Sequence, residues 1–107
     1  MYKIVFFVPS DYLDDVKNAL FMAGAGRVGK YSHCCWEKQG LGQFKPLEGS
    51  EPLIGQQNKL TKVDEFRVEM VCEDSHVKQA VIALRCSHPY EEPAFDVWRL
   101  ADESSLP

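Results

Sequence analysis

The sequence predicts an α+β fold in which a four-stranded antiparallel sheet carries two helices on one face. Two observations lead to this prediction: a strand–helix–strand pattern occurs twice, and a long loop over residues 39–61 separates the two halves. The resulting β-α-β-β-α-β order is that of the split β-α-β, or ferredoxin-like, sandwich. A chain of 107 residues builds one hydrophobic core rather than two. We therefore expect a single domain over residues 1–100, followed by a frayed tail over residues 101–107.

The first half begins with residues 3–8, a short run of β-branched and aromatic residues that Pro9 ends. This run is apolar on both faces, which is typical of a central strand. A helix follows, because apolar residues then recur at intervals of three and four until glycines stop the pattern. These residues are Leu13, Val16, Leu20 and Ala23. Residues 30–38 are predicted to form the second strand.

The second half begins with residues 65–72, where apolar and charged residues alternate as in a half-buried strand. Val77, Val81 and Leu84 then recur at helical spacing, and residues 94–99 are predicted to form the last strand. Between the halves, the loop 39–61 contains four glycines and two prolines. Connections longer than about 12–15 residues are uncommon and often functional. We therefore expect this loop to contribute to function and to offer a surface to a protein partner.

Composition excludes several classes of protein. The net charge of −4 argues against general nucleic-acid binding, which needs clustered Lys and Arg. No apolar run approaches the roughly 20 residues that span a bilayer, and the first ten residues do not resemble a signal peptide. A cytoplasmic protein that meets no membrane is expected, with its four cysteines free. Because the first strand is apolar on both faces and helices can cover only one, we also predict a homo-oligomer.

The segment Gly24-Ala-Gly-Arg-Val-Gly29 matches the G-x-G-x-x-G pattern of dinucleotide-binding proteins. In those proteins the glycines lie between a strand and a following helix, so that the pyrophosphate meets the helix N-terminus. Here the glycines follow a helix and precede a strand. The pattern therefore indicates a helix C-cap and a tight turn. Its backbone amides could still form a small anion-binding nest with Arg27 and Lys30.

Histidine, cysteine and carboxylate side chains form a candidate set of ligands for a divalent transition metal. The residues are His33, Cys34, His88 and Glu91. The alternative is that both histidines are structural. The sequence spacing does not decide between these hypotheses, because neither ligand number nor geometry can be derived from it.

The densest polar segment is Ser87-His-Pro-Tyr-Glu-Glu-Pro93. Its two prolines restrict the backbone and hold the side chains between them in nearly fixed directions. Such a segment is either a binding site or a rigid corner. Tyr90 and Glu92 are candidate ligand-binding residues here, together with Gly26, Gly29 and Tyr31 of the glycine turn. No catalytic residue is assigned, because no nucleophile or oxyanion device accompanies the segment.

Three segments taken together resemble a known domain: residues 24–34, 42–55 and 88–97. They are similar to the YqfO-type domain that is inserted into many bacterial members of the Nif-three-like family. The resemblance runs from about Tyr2 to Leu100, and the architecture is similar to that of CutA and PII proteins, which are ferredoxin-like trimers. This chain departs from the pattern in carrying Cys35-Trp36 after Cys34 and in ending soon after the last strand, as a free-standing copy would.

The resemblance implies that the two-metal site of the larger proteins lies on flanking domains. Hydrolase activity is therefore not carried over to these residues. The function expected is a non-catalytic binding or regulatory module that binds a metal ion or small anion where subunits meet, with a trimer implied by analogy. A purely structural oligomerisation or protein-interaction domain is the alternative, and a metal-dependent hydrolase is the least favoured hypothesis.

Overall fold

The computed structural model describes residues 1–107. Its four strands are β1 (Tyr2–Pro9), β2 (Trp36–Phe44), β3 (Thr61–Cys72) and β4 (Phe95–Arg99), and its two α-helices are α1 (Leu13–Met22) and α2 (Val77–Ser87). The strand order is β2-β3-β1-β4, and every neighbouring pair is antiparallel. The ferredoxin-like fold class predicted from the sequence is confirmed, and β1 is a central strand as expected. Short 3-10 turns cover Ser10–Tyr12 and Glu103–Ser105, the second within an exposed tail.

The core lies between the sheet and the two helices. Alternate residues of β1 point toward the helices, and Ile4, Phe6 and Val8 are fully buried there. Leu20 of α1 and Leu84 of α2 are fully buried in the same cluster. Burying one such side chain stabilises the fold by about 1.5–3 kcal/mol relative to leaving it exposed. The apolar stripes read from the sequence therefore hold both helices against one face of the sheet.

The second strand and the long loop differ from the prediction. β2 covers Trp36–Phe44 rather than residues 30–38, and it pairs with β3 from Trp36 opposite Glu69 to Phe44 opposite Thr61. The connection without regular structure is therefore residues 45–60, shorter than the predicted 39–61. The cause is Gly40 and Gly42, which read as loop residues but lie within the strand, where pairing with β3 compensates for their low strand propensity.

The structure confirms that the glycine turn, residues 24–29, begins at the C-terminal end of a helix. Gly24 has a positive φ of 106°. Its N–H donates to the Phe21 carbonyl at 3.0 Å, and the Ala25 N–H donates to the Leu20 carbonyl at 3.1 Å. This pair of hydrogen bonds is the Schellman motif, which satisfies carbonyls at the end of α1.

The sheet face without helices presents two exposed tryptophans. Trp36 pairs with Glu69, which also pairs with Val5, so Trp36 and Val5 share this face. Trp98 pairs with Lys3 on the same face. The two indole side chains are 56% and 46% exposed, whereas Val5 is fully buried within a single copy. The exposed apolar surface on this face therefore comes chiefly from the tryptophans of the outer strands, whereas Val5 is covered and Phe7 of β1 is half-buried. No helix of the structure is both long enough and apolar enough to cross a membrane.

Candidate functional site

His88 anchors the proline-bounded corner to the sheet. The residue follows the last turn of α2, its N–H donates to the Leu84 carbonyl at 2.9 Å, and it is only 6% exposed. Ring atom Nε2 lies 2.7 Å from the carbonyl oxygen of Phe7, and the Tyr90 N–H donates to Nδ1 at 3.1 Å. These partners assign a neutral ring that donates from Nε2 and accepts at Nδ1. Burial lowers the pKa of His88, and the hydrogen bond to the Phe7 carbonyl opposes this only in part.

Hydrogen bonds hold residues of the long loop to one another and to the proline-bounded corner. The Asn58 N–H donates to the Pro46 carbonyl at 2.6 Å, and the Gln57 side-chain amide donates to the Ser50 carbonyl at 2.9 Å. The Glu51 N–H donates to the Glu91 carboxylate at 2.9 Å. The two segments that the sequence singled out, the long loop and the proline corner, therefore meet in the folded chain.

A cavity of about 290 Å³ lies where these segments meet the ends of β1 and β2. Its walls are mainly aromatic, aliphatic and proline side chains, with several polar groups among them. The lining residues are Phe7, Gln43, Phe44, Pro46, Ser50, Pro52, Leu53, Ile54, Glu65, Tyr90, Glu91, Glu92 and Ala94. A concave, mostly apolar site with a few converging polar groups is typical of small-molecule sites, and this volume is near the lower end of their range.

Two polar groups of the cavity lie in unfavourable surroundings within the chain. The Tyr90 hydroxyl is buried and has no hydrogen-bond partner within the chain. Burial raises the pKa of Glu65, and burial together with the nearby Glu65 carboxylate raises the pKa of Tyr90. A buried polar atom without a partner costs about 1–3 kcal/mol. The cavity therefore holds groups that a suitable ligand could satisfy.

Gly42 gives the Glu65 side chain its position. A Cβ built on Gly42 would overlap the Glu65 carboxylate. Glu65 itself pairs across the strands with Gly40, so its side chain leans along β2 toward the cavity. One of the two glycines that interrupt the apolar pattern of β2, Gly42, therefore makes room for a cavity carboxylate.

The structure brings together only some of the predicted site residues. Tyr90, Glu91 and Glu92 all line the cavity. The other ligand candidates lie in the turn after α1, where Gly29 is exposed and Tyr31 is 75% exposed. One amide of this turn is already bound, since the Gly26 N–H donates to the Val71 carbonyl at 2.8 Å.

The four metal-ligand candidates do not converge within one copy of the chain. His33 packs on the Phe21 ring with centroids 4.8 Å apart. Its turn is bound through Gly26 to Val71, which pairs with the start of β1 at Lys3. His88 instead contacts Phe7, near the end of β1. No group of three or more His, Cys, Asp or Glu side chains is placed to hold a metal ion. A metal site built on these residues would need ligands from a second copy, and it stays a prediction.

Sequence reasoning missed Glu65, Phe7 and Phe44 as cavity residues. The alternation of residues 65–72 predicts that Glu65 faces solvent, and the apolar run 3–8 predicts that Phe7 lies in the hydrophobic core. A usable signal was Gly42, because glycine inside a strand often marks the close approach of another group, here the Glu65 carboxylate.

The comparisons with known proteins agree with the domain resemblance. The chain is 46% identical over 103 residues to the GTP cyclohydrolase 1 type 2 homolog of Halalkalibacterium halodurans, covering 96% of this chain and 28% of that protein. The structure of a Bacillus cereus protein related to NIF3 matches with a TM-score of 0.81 and 39% identity, over 94% of this chain and 26% of that chain. No family model matches the sequence.

A second group of structures shares only the fold. The PII-like protein CutA from Nostoc matches with a TM-score of 0.70 at 13% identity, over 99% of this chain and 86% of that chain. The chain spans only about a quarter of the curated relatives it matches. It is therefore a homologue of one segment of the GTP cyclohydrolase 1 type 2 homologs and of the NIF3-related protein, folded in the architecture of the CutA proteins.

Proposed function

We propose that this chain is a non-catalytic, ligand-binding module whose site is the cavity between the long loop and the proline corner. The observation that supports this most directly is the buried, unpartnered Tyr90 hydroxyl in the cavity. A buried hydroxyl without a partner in the chain is costly, and a ligand that supplies its hydrogen bond removes this cost. The module is regulatory in this proposal, because binding would alter the loop, which the corner holds through Glu91.

A binding rather than catalytic role is supported by His88. Both ring nitrogens are hydrogen-bonded to backbone groups, so the ring cannot accept or deliver a proton without breaking the contact that fixes the corner. The activity suggested by the name of the relatives concerns proteins of about four times this length. In our proposal, this segment contributes binding and contacts to such a protein rather than the chemistry.

Self-association through the helix-free sheet face is part of the proposal. A wide groove on this face is lined by Trp36, Lys38 and Arg67, and it shares Phe7 and Glu65 with the cavity. An oligomer formed there would place a second copy near the ligand. The trimer and the cytoplasmic location predicted from the sequence remain predictions, as does a protein partner at the loop.

Amide shifts of the isotopically labelled chain test the binding proposal. The protein is titrated separately with small amines, carboxylates, inorganic phosphate and zinc ions. We expect at least one compound to shift the amides of residues 45–60 and 88–94 together and saturably. If no compound shifts them, the chain is better described by the structural alternative.

The zinc arm of the same experiment tests the divalent-metal alternative. Zinc-induced shifts at His33 and Cys34 that grow with protein concentration would favour a metal bound between copies, because one copy does not assemble the ligands. Phosphate-induced shifts at Gly29 would favour the anion nest.

A further inference from the structure

The charge of the cavity walls restricts what can bind there. Three carboxylate side chains line the cavity, Glu65, Glu91 and Glu92, and no lysine or arginine does. An anionic ligand would be buried beside Glu65, whose own charge burial already disfavours. A positively charged ligand would instead compensate these carboxylates.

From this arrangement we propose that the cavity binds a small organic cation, an ammonium group carried on a compact apolar or aromatic body. The inference rests on the proposed binding function and specifies its ligand class. The small anion predicted at the glycine turn and the metal ion predicted between subunits concern other places in the fold and stay predictions.

The apolar walls fit the body of such a ligand. Phe44 and Tyr90 lie with ring centroids 6.2 Å apart and planes tilted by 54°, and Phe7 lines the same cavity. Aromatic faces attract cations through the ring quadrupole, and this attraction strengthens when the cation is desolvated. The Tyr90 hydroxyl, which has no partner, supplies an oxygen that can accept an ammonium N–H.

An organic ammonium suits the three carboxylates better than a metal ion does. A metal ion needs several ligand atoms at about 2.0–2.6 Å, and no such group is assembled in the chain. One carboxylate is also committed to the fold, since Glu91 accepts the Glu51 N–H at 2.9 Å. A primary ammonium has three N–H donors that can reach separate oxygens without the close, fixed ligand shell of a metal ion, and it is attracted by the remaining carboxylates at longer range. Glu65 and Tyr90 are therefore the residues expected to contact it.

Three ligands of the same shape and different charge test the inference on the whole 107-residue chain. Benzylamine, benzyl alcohol and benzoate are each titrated at pH 7.5, with amide shifts of residues 45–60 and 88–94 as the readout. We expect saturable binding of benzylamine, with benzyl alcohol at least about tenfold weaker, as befits a hydrogen bond between charged groups. No saturable binding of benzoate is expected.

Two variants and a matched control assign the contacts. Glu65→Gln should weaken benzylamine binding about tenfold, and Tyr90→Phe should weaken it several-fold. Glu48→Gln removes an exposed carboxylate of the same loop that does not line the cavity, so it should change the affinity less than about twofold.

The outcomes separate this inference from the proposed function. If benzyl alcohol or benzoate binds the cavity as well as benzylamine does, or if Glu48→Gln weakens binding as much as Glu65→Gln, the cation assignment is wrong while the binding module stands. If none of the three ligands shifts the cavity amides and the wider titration is also negative, both proposals are wrong.

Discussion

Replacing His88 with phenylalanine tests whether the two hydrogen bonds of its ring stabilise the fold. The change keeps an aromatic ring and removes both ring nitrogens. The Phe7 carbonyl and the Tyr90 N–H then lose their partners at a position where the side chain is only 6% exposed. Each buried group left without a partner costs about 1–3 kcal/mol, so for the two groups together we expect the free energy of unfolding to fall by at least about 2 kcal/mol at pH 7.5. Domains of this size have about 5–15 kcal/mol of stability, so the variant should still fold.

The stability lost on this substitution should depend on pH, and the lowered pKa of His88 gives the direction. Burial holds the pKa of His88 below its ordinary value of 6.5. As the pH falls below that value, the unfolded chain takes up a proton that the folded chain resists, so the native protein loses stability by up to about 1.4 kcal/mol per pH unit. The groups that the ring contacts are a carbonyl, an amide and the Tyr90 ring, none of which changes charge between pH 5 and 7.5. The phenylalanine variant lacks this loss.

Urea unfolding followed by circular dichroism at pH 7.5 and pH 5, at matched protein concentration, measures both effects. The difference in stability between the native chain and His88→Phe should be largest at pH 7.5 and should shrink at pH 5. His76→Gln is the control, because His76 is exposed and should change stability by less than about 0.5 kcal/mol. A loss below about 1 kcal/mol at pH 7.5, or a difference that grows on acidification, would refute the assignment of a neutral, doubly hydrogen-bonded ring.

Three further substitutions test other contacts of the fold. Gly26→Ala should lower stability by about 2 kcal/mol or more in thermal unfolding, because the residue has a positive φ and a Cβ there meets Phe21 and the Cys34 carbonyl. Gly29→Ala also has a positive φ, but its Cβ meets open space, so it should cost only about 1 kcal/mol in the same assay. Gly42→Ala should displace the Glu65 carboxylate and weaken benzylamine binding several-fold with little change in melting temperature; unchanged affinity would contradict the role given to that glycine. Trp98→Lys places a charge on the exposed apolar face and should reduce the mass measured by light scattering to that of the monomer, 12.2 kDa. If the unsubstituted chain already has the monomer mass, the proposed self-association is wrong.

The fold class was predictable because the strongest signals are local. The two-sided apolar run of β1, the stripe that ends at Gly24 and the alternation in β3 each follow from side-chain periodicity, and the structure confirms all three. The same local reasoning placed β2 too early. Gly40 and Gly42 have low intrinsic strand propensity, and only the partner strand, which is distant in sequence, supplies the pairing that makes them extended.

The candidate site was predictable in part. The prolines flanking Tyr90 marked a rigid polar corner, and the spacing of glycines and prolines marked the long loop, so the sequence identified two of the segments that surround the cavity. It grouped His33 with His88 as possible ligands, but His33 packs on Phe21 of α1 whereas His88 contacts the Phe7 carbonyl near the end of β1. Residue type indicates which chemistry a side chain can do, and sequence spacing does not indicate which side chains meet.

Periodicity and the backbone restriction by glycine and proline were enough to predict the α+β class, two helices on one face of the sheet and the segments where function was expected. Only the tertiary structure decided that the loop and the corner enclose one cavity and that Glu65 leans over Gly42 into it. It also decided that both nitrogens of His88 are used by the backbone. Those outcomes depend on contacts between residues far apart in the chain, and such contacts form only when the sheet brings its strands into register.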